Sequence, residues 1–280
     1  MSAGTVGVVG LGLIGGSLVK AYKAAGWTVY GYDLSDSVTR FAELDGMLDG
    51  ELTPETTPLC DIIHLAVPPE AACAWMRDHA ARIDAHTLLM DDCGTKRVVC
   101  ACGFALARDH GYCYVGGHPM AGTHLSGYKN ARADLFQGAP MVIVPPRFDD
   151  PDLYGKIKLL LAPMGLGQLV FATAEEHDRM IAFTSQLAHV VSHAYVKSPR
   201  AVQHRGFSAG SFRDMTRVAW LNERMWTELF LENGDFLAEE IDTIVANLQE
   251  YAAAIRARDA ETLERILREG RIAKEKSEKA

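Results

Sequence analysis

Along residues 1–172 the apolar positions come in short, nearly continuous runs divided by amphipathic stretches. Thr5–Val9 (TVGVV) is a β-branched run of buried-strand type, and Thr28–Tyr32, residues 61–67 (DIIHLAV), 87–90, 113–115, Pro140–Val144 and Gln168–Phe171 repeat it. Between them the period is helical. Leu18, Val19, Tyr22 and Ala25 share one side, and further helical patterns cover residues 70–82, a segment opening at 91–97 and running to 106, and residues 153–161. This alternation predicts an α/β domain on a largely parallel sheet. From Thr173 no strand-like run follows. Residues 174–196 carry Met180, Ile181, Phe183, Leu187 and Val190 at helical spacing, with His177, His189 and His193 among them. Shorter pieces at 212–220 and 225–230 precede a long helix marked by Leu237, Ile241, Ile244, Leu248, Tyr251 and Ile255. That four-three alternation is the seam of two helices packed side by side. Asp259 is placed to cap a last amphipathic helix before the charged segment 274–279. The expectation is a Rossmann-type dinucleotide-binding domain over 1–172 and an all-α domain over 173–280.

Composition narrows the function classes. A chain of 280 residues, 48% hydrophobic and 23% charged, fits a soluble globular protein of one large or two ordinary domains. A dispersed net charge of −8 argues against nucleic acid or membrane surface as the main ligand. The start, Met1-Ser2-Ala3-Gly4, leads straight into a strand without a basic or cleavable apolar segment, so a cytoplasmic location is expected. The six cysteines contain no CxxC pair. A zinc site from Cys100, Cys102, His110 and Cys113 is the alternative to reading them as small buried hydrophobes.

The first helix is entered through Gly10-Leu11-Gly12-Leu13-Ile14-Gly15-Gly16-Ser17. Gly10 makes the tight turn, Gly12 admits a pyrophosphate to the backbone, and Gly15 lets helix and strand approach. The helix N-terminus then faces the phosphates. The second strand ends in Asp33, roughly 20 residues on, placed to bind both ribose hydroxyls and to repel a 2′-phosphate. This register of strand, glycines, helix and acid predicts NAD as cofactor. The candidate contacts are Gly10, Gly12, Leu13, Ile14, Gly15 and Asp33, with Val67 and Pro68 after the third strand.

In Val115-Gly116-Gly117-His118-Pro119-Met120-Ala121-Gly122-Thr123 a histidine stands between two glycines and a proline. These neighbours predict that His118 is presented from a stiff loop after a strand rather than from a regular strand face. The same residues also suit a plain turn with His118 as a cap or core residue. The loops at Gly10, Pro68, Thr95 and His118 follow strand carboxyl ends and are expected to face one cleft. His64, mid-strand, reads as a core histidine.

With these pieces in place, the chain resembles the prephenate/arogenate dehydrogenases of tyrosine biosynthesis over nearly its whole length. The matching blocks are GVVGLGLIGGS, LAVPP, DCGTKR, GGHPMAGTHLSGY, LFQGAPMVIVPP, EEHDRMIAFTSQLAH and FRDMTRVAWLNERMWTELFLEN, in that order. The resemblance implies a Rossmann domain with a helical domain forming a homodimer, and NAD(P)-dependent oxidative decarboxylation of a cyclohexadienyl substrate. It implies that His118 is catalytic and engages the ring hydroxyl, and that Thr95 stands where the family has a serine bonded to that histidine. It further implies that Arg217 binds the ring carboxylate and that His189 is a second active-site histidine. The family's Ser-His-Leu-Pro-His block is here Ser185-Gln186-Leu187-Ala188-His189, so Gln186 replaces a histidine near the substrate side chain. His124 sits where some members carry glutamate. A 3-hydroxyacid dehydrogenase or imine reductase shares the glycine-loop start but not GGHPMAG or FRDMTR. A nucleotide sensor without turnover has no use for His118, Thr95 and Arg217 around one cleft.

Overall fold

The computed structural model describes residues 4–123 and 125–279. Eight strands form one sheet: β1 (Thr5–Val9), β2 (Thr28–Tyr32), β3 (Gly50–Glu51), β4 (Ile62–Leu65), β5 (Leu88–Asp91), β6 (Cys113–Pro119), β7 (Pro140–Val144) and β8 (Gln168–Phe171). Their order is β3-β2-β1-β4-β5-β6-β7-β8, parallel throughout except for the antiparallel β6–β7 pair. The chain leaves β1 toward β2 and β3 on one side and resumes on the other side at β4. The crevice at this reversal is where open α/β sheets bind ligands. The helices of this half are α1 (Leu13–Ala24), α2 (Asp36–Leu44), α3 (Pro69–His79), α4 (Arg97–His110) and α5 (Pro151–Leu160). They cover both sheet faces, which is why β4 and β5 are buried at every position and largely apolar, with His64 and Asp91 the polar exceptions. Val6, Val8 and Ile62 pack with Leu18 and Tyr22 on one face, and Val9, Ile63 and Leu65 pack with Met76 and Val99 on the other.

Helix α2 and the two-residue β3 are absent from the sequence-level prediction. Helix α2 is short, buries only Thr39 and Ala42 and leaves Phe41 and Leu44 exposed, so it contributes little to the core.

The segment around His118 differs from expectation in a way that matters. His118 lies on β6 opposite Val142 of β7, in the register Gly116↔Val144, Gly117↔Ile143, Pro119↔Met141. Gly116 and Gly117 are not turn residues. A Cβ on Gly116 would come within 2.5 Å of Cys100 Sγ, and one on Gly117 within 2.7 Å of the Asp91 carbonyl. Glycine is required there by close packing of neighbouring strand and helix, not by a left-handed backbone.

The helical half begins at α6 (Ala174–Ile181). A reciprocal capping box starts it: Glu176 N donates to Thr173 Oγ1 (3.1 Å), and Thr173 N donates to Glu176 Oε2 (2.8 Å). The chain then widens into a π-helical stretch, Ala182–Leu187, before α7 (Ala188–Val196). After α8 (Gly210–Thr216) a 3₁₀ turn spans Arg217–Ala219, and α9 (Glu223–Glu232), α10 (Gly234–Ala257) and α11 (Ala260–Ser277) follow. Asp259 caps α11 as expected, accepting from Thr262 N at 3.0 Å. The α10 stripe is only partly covered within one chain: Leu237 is buried, whereas Leu248 and Ile255 are 58% and 59% exposed.

The two halves are tied at the start of α4. The Arg97 guanidinium reaches Asp235 Oδ2 (2.7 Å), Asn233 Oδ1 (3.0 Å) and Asp178 Oδ2 (3.3 Å), and lies 4.2 Å from the Phe236 ring centroid. Among the described residues no helix is long and apolar enough to cross a membrane.

Candidate active site

The nucleotide crevice is built by the β1–α1 turn. Gly10 adopts φ +85°, a conformation few side chains tolerate, and a Cβ on Gly15 would collide with the Gly10 carbonyl. A Cβ on Gly12 would meet nothing within 4 Å, so the face it opens is bare backbone. Among the described residues no side chain caps α1 and no acid lies in its first turn, so the N–H groups of that turn are left for a ligand. Asp33 Oδ2 accepts from Leu11 N (2.8 Å) and Oδ1 from Ser35 N (2.9 Å), which holds the carboxylate beside the glycine turn. Each oxygen keeps a lone pair for a hydroxyl donor. Val67 flanks Gly10, and its carbonyl accepts from Cys93 Sγ at 3.3 Å. Pro68 is the N-cap of α3. Bare glycine backbone, an uncapped helix start and an oriented carboxylate fit a dinucleotide.

Beyond this crevice, on β6, His118 Nδ1 lies 2.8 Å from His177 Nε2, and His177 Nδ1 lies 2.7 Å from Asp178 Oδ1. The network assigns the tautomers. A carboxylate can only accept, so His177 carries its proton on Nδ1 and offers bare Nε2 to the His118 Nδ1–H. The free nitrogen of neutral His118 is then Nε2, an acceptor. Burial pushes His118 well below the ordinary imidazole range, and the His177 ring and Lys96 charge add to this. Burial also lowers His177, against the opposing Asp178 hydrogen bond. Asp178 is itself pinned, accepting from Lys96 N (2.7 Å) and Arg97 N (2.9 Å) at the start of α4.

The expected site residues do not all converge. Thr95 is not bonded to His118: its hydroxyl donates to Glu232 Oε2 at 2.6 Å, and among the described residues the His118 ring bonds only His177. Burial raises the Glu232 carboxyl despite that bond. Gln186 is drawn into the core of the helical half. It is buried, donates to Leu229 O (3.0 Å) and accepts from Asn233 Nδ2 (2.8 Å), because the π stretch turns it into the helical core. His124 lies outside the described residues. His189 Nδ1 donates to Val218 O (2.8 Å), its ring lies 3.9 Å from that of Trp226, and burial lowers its pKa. The Arg217 charge is close enough to contribute to that lowering. Arg217 is exposed on its 3₁₀ turn, and among the described residues no carboxylate pairs with it.

One helical run thus carries His177 at one end and His189 at the other, about twelve residues or roughly 18 Å apart at helical rise. His177 spends both ring nitrogens on His118 and Asp178, whereas His189 lies beside the Arg217 charge. His177 and Asp178, which the sequence-level reading did not assign, were marked only by the Glu-Glu-His-Asp run at the start of α6. Asp91 and Lys96 sat unassigned in the segment that carries Thr95.

Comparison with known proteins agrees with this geometry. Residues 18–168 match the family model "Prephenate dehydrogenase, nucleotide-binding domain", and residues 173–269 match "Prephenate dehydrogenase, dimerization domain". The prephenate dehydrogenase of Bacillus subtilis is 30% identical over 274 residues, covering 94% of this chain and 73% of that protein. The cyclohexadienyl dehydrogenase of Zymomonas mobilis is 30% identical over 271 residues, covering 92% and 90%. The crystal structure of A. aeolicus prephenate dehydrogenase in complex with hydroxyphenyl propionate and NAD+ superposes with a TM-score of 0.80 at 26% identity, covering 99% of each chain. The two family models in this order, together with these relatives, place the chain in the prephenate dehydrogenase family.

Proposed function

We propose that this protein catalyses the NAD-dependent oxidative decarboxylation of prephenate, or of arogenate, in tyrosine biosynthesis, acting as a cytoplasmic homodimer. The observation that carries the reading is the Asp178–His177–His118 line, which ends in an unprotonated Nε2 on the strand beside an open dinucleotide crevice. Residues 1–172 serve as the NAD-binding unit and residues 173–280 as the substrate and dimerisation unit. The half-open apolar stripe on α10 supports the homodimer, since such a face needs a partner surface. The six free thiols suit a reducing compartment.

Gly10, Gly12, Gly15 and the α1 N-terminus hold the pyrophosphate, Asp33 the ribose hydroxyls, and Val67 and Pro68 the adjoining wall. NAD supplies the hydride acceptor. His118 Nε2 receives the proton of the substrate's ring hydroxyl as its carbon is oxidised. The resulting imidazolium is stabilised through His177 by the Asp178 carboxylate, which orients the relay without needing to take a proton. Arg217 presents a planar fork to the ring carboxylate, and His189 shapes that end. Loss of this carboxylate as CO2 aromatises the ring and makes the reaction one-way.

The test is growth of NADH absorbance on adding prephenate or arogenate to the purified protein with NAD. No reduction with either substrate contradicts the reading.

A further inference from the structure

Lys96 has no exposed surface, and its ammonium lies under the reacting strand. Its Nζ contacts Asp91 Oδ2 and donates to the Gly117 carbonyl at 2.6 Å. That carbonyl belongs to the peptide unit that carries the His118 N–H. Asp91 is held in turn by Tyr114 Oη (2.5 Å) and Cys93 N (3.1 Å), so anchor and ammonium form one closed buried group. Burial alone would push the Lys96 ammonium down, but Asp91 together with the neighbouring Cys93 and Cys100 more than offsets this and keeps it charged.

Stability does not explain such a pair. Replacing a buried ion pair with apolar residues of similar volume is often neutral or favourable. Cys100 and Val144, buried side chains that crowd Gly116 together with the Lys96 stem, show that the surroundings accommodate apolar groups. The pair's location points to another use. We propose that Lys96 is a positioning residue for the reaction: its ammonium clamps the backbone under His118 and opposes a second positive charge on that ring.

The inference rests on His118 being the proton acceptor. The charged and titratable groups around that ring come from several elements. Strand β5 supplies Asp91, the segment before α4 supplies Lys96, and α6 supplies His177 and Asp178, while β7 presents Met141 and Val142. Next to Lys96, Thr95 engages Glu232 of α9. Of these, the fixed charge that disfavours protonation of His118 is Lys96. An imidazolium beside it is less stable, so His118 stays free to accept at lower pH and surrenders the proton readily afterwards.

The experiment compares wild type, Lys96→Met and the pair replacement Lys96→Met/Asp91→Asn by two readouts. These are the pH profile of kcat/KM and titration of His118 by NMR on histidine-labelled protein. Both variants are expected to move the acid limb and the His118 titration to higher pH, leaving the alkaline plateau far less affected. The double variant keeps the test available should the single one, with Asp91 left unpaired, fail to fold. A uniform loss at every pH with unmoved His118 titration overturns the inference and makes Lys96 purely structural. His118→Asn, run in parallel, separates the two readings: near-normal turnover there sinks the proton-acceptor assignment itself, whatever Lys96 does.

Discussion

His118 Nδ1 donates to His177 Nε2 across 2.8 Å, and this contact joins the two halves of the chain at the reacting side chain. One ring belongs to the sheet and the other to the first helix of the α-helical half, so the acceptor is oriented only when both are docked. His118→Asn removes the acceptor and is expected to lower kcat by roughly two to four orders of magnitude, the range for a positioned acid–base group. Asp178→Asn leaves His118 in place but frees its tautomer, so a smaller loss is expected, with little added in the double variant. NAD affinity should persist in all three, since the glycine turn is untouched. Additive losses in kcat would contradict a shared proton path.

Folding holds His118, His177 and His189 below the ordinary imidazole range, in each case chiefly through burial. The unfolded chain, with imidazoles titrating near about 6.5, takes up protons that the native state refuses. The stabilisation from neutral rings is therefore complete above that value and is lost as pH falls toward the depressed native values. Glu232, raised by burial, works in the opposite sense near the carboxyl range. The expected result is a Tm that falls steadily between about pH 7 and pH 5. A flat Tm across that window would show that the three rings titrate normally.

Arg217 is exposed and without a carboxylate partner among the described residues, so its removal should leave the fold intact. Arg217→Ala is expected to raise KM by about tenfold or more with a modest change in kcat, the loss of one charge-assisted contact. Lysine at 217 should restore only part, lacking the bidentate fork. Steady-state kinetics decide this, and an unchanged KM would remove Arg217 from the substrate site.

Gln186 bonds Leu229 O and Asn233 Nδ2 inside the helical half. Gln186→Ala removes two buried hydrogen bonds and should cost about 1–3 kcal/mol in denaturant unfolding. It should leave the ratio of kcat/KM for prephenate and arogenate unchanged. A change in that ratio without loss of stability would return Gln186 to substrate recognition.

The exposed part of the α10 stripe carries the dimer prediction. Leu248→Glu or Ile255→Glu places a charge where an apolar partner surface is expected and should shift the protein from dimer to monomer in light scattering. A monomer mass for the wild type at micromolar concentration would refute the assembly.

The glycine turn, the Asp33 acid and the alternation of strands and helices were legible in the sequence because each depends on local chemistry. Gly10 needs a positive φ, and a doubly covered strand needs a largely apolar run. The Asp259 cap was legible for the same reason. What the tertiary structure decided was convergence. His118 and His177 are 59 residues apart, and only the docking of α6 against β6 makes them neighbours. The glycines around His118 suggested a loop, whereas the packing of Cys100 and Asp91 requires them on a strand. Thr95 and Gln186 carried suitable chemistry, but nothing in their spacing could show that Glu232 and Asn233 would claim it. A side chain's type is written in the sequence. Its partner is set by whichever distant group the fold brings within hydrogen-bond reach, because a buried polar atom must be satisfied by what surrounds it.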